Sequence, residues 1–109
     1  MRVITCPVQR WTGTAQLSDP MTVMQVAVIE RAISAAQKLD DPTKAEVEAA
    51  LLPALLACVD KFSLANLPER MTIDNWPGTP RLDSVRLFDW LLGEVMRIYR
   101  GEVEPVPLA

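Results

Sequence analysis

The sequence contains no histidine. That single absence removes the commonest general base, the usual partner that activates a serine nucleophile, and the commonest metal ligand. Cysteine is almost as scarce: Cys6 and Cys58 stand far apart with no CxxC pair, so the ligand sets of cytoplasmic zinc sites cannot be assembled. The four glycines never gather into a phosphate-cradling loop or a dinucleotide fingerprint, and no nucleotide or other cofactor is expected. A basic run is missing too. Eleven Lys and Arg are scattered among fourteen Asp and Glu, for a net charge of −3, and without a concentrated positive patch neither nucleic acid nor an anionic membrane surface is an expected partner. The longest uninterrupted apolar run, residues 49–59, is far short of the roughly 20 residues that cross a bilayer. The segment from Met1 to Pro7 has no apolar stretch of signal-peptide length, which predicts a cytoplasmic protein with both cysteines as reduced thiols.

What is present is the composition of a globular protein: hydrophobic residues make up 50% of the chain and charged residues 23%. A chain of 109 residues suits one domain with its own core. Its reading is mainly α, a three-helix core carrying a small N-terminal β-hairpin or short antiparallel sheet. The domain is expected over residues 1–101, and the proline-rich residues 102–109 read as an extended, mobile tail.

Residues 2–17 are rich in β-branched types on either side of Pro7 and Gly13, the pattern of two short strands around a turn. A two-stranded hairpin is marginal in water, and Met71-Thr72-Ile73 is the segment expected to supply a third strand. Thr22 and Gln25 have capping-box spacing, which opens a helix over residues 23–38, with Val26, Ile29, Ala32, Ile33 and Ala36 on its apolar stripe. Thr43 and Glu46 repeat the signature for a second helix to about Phe62, kinked near residues 49–53 because Pro53 lacks a backbone donor and crowds the preceding turn. Residues 63–79 have no period; the apolar Leu64, Leu67, Met71, Ile73 and Trp76 suggest a loop pinned to the core. Thr79-Pro80 supplies a cap and a first-turn proline for a third helix over residues 80–100, ending at Gly101.

Acidic pairs at Asp40-Asp41, Glu46 with Glu48, and Asp83 with Asp89 are the remaining candidates for acid/base work or cation binding. Their positions beside Lys44, Arg86 and Arg97, or at a helix start, read better as solvated faces and favourable dipole contacts. No catalytic residue and no metal ligand is assigned, and the chain is read as a non-enzyme.

The helices hold more apolar surface than a small body readily covers. The second is apolar almost all round, with Leu51, Leu52, Leu55, Leu56, Cys58 and Val59, and the third carries two stripes, Leu82-Val85-Phe88-Leu92-Val95-Tyr99 and Leu87-Leu91-Ile98. One stripe is then either generous core or a groove for a partner helix or homodimer seam. Leu52, Leu56, Leu87, Trp90 and Leu91 are the candidate partner-binding residues, since an exposed tryptophan is enriched at binding hot spots. Met21, Met24, Met71 and Met96 add adaptable side chains.

Two stretches, Gly13-Thr14-Ala15-Gln16-Leu17-Ser18-Asp19-Pro20-Met21-Thr22 before the first helix and Trp76-Pro77-Gly78-Thr79-Pro80 leading to Leu91-Leu92-Gly93-Glu94, resemble the small tail assembly chaperones of long-tailed bacteriophages. Met21 stands where that family's turn carries a leucine, and no family motif assigns a binding residue here. The resemblance implies a protein of the host-cell cytoplasm that coats the hydrophobic tape-measure protein, or meets a tail-tube subunit, during tail morphogenesis. The alternative is another small protein-interaction module, a virion structural adaptor or an inhibitor of a host enzyme.

Overall fold

The structure is a computed structural model and describes residues 1–103. Three strands and three helices follow one another as β1 (Arg2–Thr5), β2 (Gly13–Leu17), α1 (Val23–Gln37), α2 (Lys44–Leu56), β3 (Val59–Leu64) and α3 (Arg81–Val103), with a single 3-10 turn at Gln9–Trp11. The strands form one antiparallel sheet in the order β1-β2-β3. The fold is therefore mixed α and β rather than mainly α, because the sheet supplies a full layer of the core.

The expected hairpin of residues 2–17 forms, with Ile4 opposite Ala15 and Arg2 opposite Leu17. Its third strand is not the expected Met71-Thr72-Ile73. It comes from residues 59–64, where the sequence pattern predicts the end of the second helix and the start of the loop. Helix α2 passes through Pro53 but stops at Leu56, and from there Phe62 and Leu64 alternate with exposed Lys61 and Ser63, the period of a half-buried strand. Asp60 is the extra residue of a bulge, since Gln16 pairs with Lys61 and Leu17 with Val59. Gly13 lies opposite Leu64 with φ +142, and a side-chain carbon there would collide with the Ser63 carbonyl oxygen; only glycine suits that crossing.

Both capping boxes form. Thr22 Oγ1 accepts from the Gln25 backbone N–H at 3.2 Å while the Thr22 N–H donates to Gln25 Oε1 at 2.8 Å, and Thr43 and Glu46 repeat the arrangement. Gln25 does more than cap. Its Nε2 donates to Ser18 Oγ at 3.0 Å and to the Ala57 carbonyl at 3.1 Å, joining the end of β2, the start of α1 and the end of α2. Helix α3 runs past the expected stop at Gly101 to Val103, because Gly101 does not adopt the left-handed conformation that lets glycine end a helix. The tail expected at 102–109 thus begins as helix, and residues 104–109 lie outside the described part.

The inner face of the sheet (Ile4, Ala15, Leu17, Phe62, Leu64) joins Leu52 and Leu55 of α2 and Leu87, Phe88, Leu91, Val95 and Ile98 of α3 in one continuous core. Trp76 meets Phe62 edge-on with ring centroids 6.2 Å apart, and Met71 is buried, so the loop 65–80 is held to the core as expected, although Ile73 is exposed. Ion pairs fix α3 at its N-terminal half: Arg10 with Asp83 at 2.9 Å, Lys44 with Asp89 at 2.8 Å, and Arg81 with Glu48 at 2.7 Å. Among the described residues no helix is long and apolar enough to cross a membrane.

Candidate protein-binding groove

Of the five residues expected to meet a partner, Leu52, Leu87 and Leu91 are buried in the core. A side chain sealed inside the fold cannot form a contact surface of the folded chain, and these three hold α2 and α3 to the sheet instead. Leu56 and Trp90 keep part of their surface, but at different places. Leu56 shares a pocket with Val59, Phe62, Glu69 and Met71, whereas Trp90 lies beside Pro7, Val8, Arg86 and Asp89.

Besides single exposed side chains such as Val23, Met24 and Leu82, an apolar groove of about 520 Å³ lies open between the three helices. Ile33 of α1 and Leu51 of α2 form one wall, and Asp89, Leu92, Gly93, Met96 and Arg100 of α3 form the other. Ile33, Leu51, Leu92 and Met96 are half-buried and rest on the core from outside. The geometry follows from α3. At about 100° per residue, positions 89, 92, 93, 96 and 100 fall on one stripe, well away from the face that carries Leu87, Leu91, Val95 and Ile98 inward. The two expected stripes of the third helix are not separate faces: Phe88 and Val95 of the first are buried together with Leu87, Leu91 and Ile98 of the second, and on the groove side only Leu92 and Met96 are apolar.

The sequence places Ile33 on the apolar stripe of the first helix and Leu92 on one of the two stripes of the third, counts Leu51 among the apolar residues of the second, and offers Met96 only as an adaptable side chain. A signal was available in Gly93. A glycine amid the helical repeat weakens the helix, and here a side-chain carbon at Gly93 would meet nothing within 4 Å, so packing inside the fold does not require it.

The acidic residues are distributed rather than gathered. Asp83 and Asp89 are each held in an ion pair, while Glu48, expected on a solvent face, is buried with Oε2 on Arg81 and Oε1 without a partner. Among the described residues no group of three or more potential ligands could hold a metal ion. Both cysteines are free and buried; loss of solvent pushes the Cys58 thiol up to about 11 and raises Cys6 as well, so both are protonated and unreactive near neutral pH.

No protein-family model, curated protein or solved structure matches the chain.

Proposed function

We propose that this chain is a non-enzymatic protein-binding module that receives an amphipathic helix in the groove between α1, α2 and α3. In the reading its sequence resemblance favours, the protein is a tail assembly chaperone that shields the tape-measure protein in the host-cell cytoplasm during phage tail morphogenesis. The observation that carries the proposal is the groove itself: four half-exposed aliphatic side chains, Ile33, Leu51, Leu92 and Met96, line one depression with charge only at its rim. A contiguous apolar depression with a polar rim is the surface a helix-in-groove interaction uses. Half-buried Trp90 on the neighbouring turn of α3, beside Pro7 and Val8, offers an anchor at the edge of the same helix.

Co-expression with a tape-measure segment tests the reading. The segment is expected in the soluble fraction and to co-purify with the chain, and Met96→Glu is expected to reduce its recovery severalfold while leaving the chain folded. A segment that stays as insoluble with the chain as without it would overturn the proposal. Detection of the chain in finished particles would favour a structural adaptor, since an assembly chaperone leaves before completion.

A further inference from the structure

We infer that the groove seats a second copy of this chain, α3 of one protomer lying antiparallel along α3 of its partner about a twofold axis. The inference uses the surface described under Proposed function and names its occupant in the absence of a client helix. Two features of the α3 stripe are complementary to the stripe itself when it is reversed. Asp89 stands at one rim of the groove and Arg100 at the other, eleven residues and roughly 16 Å apart along the helix. The antiparallel register that sets Asp89 of one protomer opposite Arg100 of its partner also sets Gly93 opposite Met96. Each contact then occurs twice, as a twofold interface requires.

Charge supports this register. Arg100 has no ion pair among the described residues, and Asp89, although it accepts from Lys44 at 2.8 Å, remains about half exposed and can accept a second cation. Size supports it as well. Gly93 leaves open space on the outer surface of α3, and Met96 is an unbranched, flexible side chain suited to filling such a hole. No packing inside the protomer explains a glycine there, whereas an approaching helix does. Leu92 and Met96 would be drawn out of water by the same contact, together with the wall formed by Ile33 and Leu51.

Sedimentation equilibrium of the full chain, with no client present, is the test. The unaltered protein is expected to dimerise. Arg100→Asp should raise the dissociation constant about tenfold or more, because two symmetry-related attractions become repulsions, and Gly93→Leu should abolish the dimer by filling the hole. The double reversal Asp89→Arg with Arg100→Asp restores opposite charges across the axis and should recover most of the lost affinity. Circular dichroism, expected to match the unaltered chain for Arg100→Asp, Gly93→Leu and the double reversal alike, separates loss of contact from loss of fold. A protein that is monomeric at its highest soluble concentration overturns the inference, and so does a double reversal that dimerises no better than the single one. A monomer that still solubilises the tape-measure segment would sink only the dimer, and a dimer that ignores the segment only the proposed function.

Discussion

Helices α1 and α3 both have the periodic apolar pattern of a surface helix, yet they meet the fold in different ways. Helix α3 turns Leu87, Phe88, Leu91, Val95 and Ile98 into the core, whereas α1 commits only Ile29 and leaves Val23 83% and Met24 71% exposed. The difference lies in what faces each helix. The stripe of α3 belongs to the cluster that also holds the inner sheet face and α2, while α1 is fixed mainly by its N-terminal cap, by Gln25 and by its packing on α2. Periodicity thus reports which face a helix would bury, not how much covering is at hand.

The contrast can be broken most forcefully at α3. Leu91→Ala should cost about 3 kcal/mol, because a fully buried leucine leaves a cavity that the close-packed sheet and helices refill only in part; urea unfolding measures it. On α1 the largest surface effect should come from its cap. Thr22→Ala should cost about 1 kcal/mol by the same measurement, through loss of the side-chain acceptor for the Gln25 N–H. A smaller effect lies where the two helices touch through Tyr99. Reduced solvation raises its pKa first, and the Glu30 carboxylate, which repels the phenolate and accepts the hydroxyl's hydrogen bond, raises it further. A folded pKa above the unfolded value means the contact contributes fully below the ordinary tyrosine value of 10.0 and is lost as pH rises through the raised value. The unfolding temperature of the unaltered chain should therefore fall relative to Tyr99→Phe once the pH passes that range. Least of all should change with Met24→Ser, expected within about 0.5 kcal/mol, since that side chain is mostly in solvent. A cost as large as that of Leu91→Ala would mean that α1 is covered by something the monomer does not contain.

Much of this was legible in local chemistry. Thr22 with Gln25 and Thr43 with Glu46 announced two helix starts because a capping box is complete within four residues. The hairpin was legible from Val3-Ile4-Thr5 and Thr14-Ala15-Gln16-Leu17 for the same reason. Residues 57–64 were not. Ala57 and Cys58 continue an apolar run that suits a helix, and only the pairing of Phe62 with Ala15 and Leu64 with Gly13, a contact across the whole helical insert, decides for a strand. Gly101 misled in the opposite direction, because a glycine ends a helix only where the backbone turns left-handed. The apolar excess on α3 was visible, but choosing its outward stripe required knowing that Leu87 and Leu91 face the sheet. Periodicity places residues on a common face without saying which face wins the core.

The pairing of β2 with β3, made through the bulge at Asp60 and the glycine crossing at position 13, comes late in the order of synthesis. Strand β2 is made long before its neighbour β3, which lies beyond two complete helices. A nascent chain that has emerged only as far as Gln37 holds a two-stranded ribbon whose second edge has nothing to pair with, and such a ribbon is marginal by itself. Closing so long a loop carries an entropic penalty that local contacts do not repay until β3 arrives. On the ribosome, the sheet should therefore lock only after the residues through Leu64 have cleared the exit tunnel. Until then the hairpin edge stays open to any extended segment nearby.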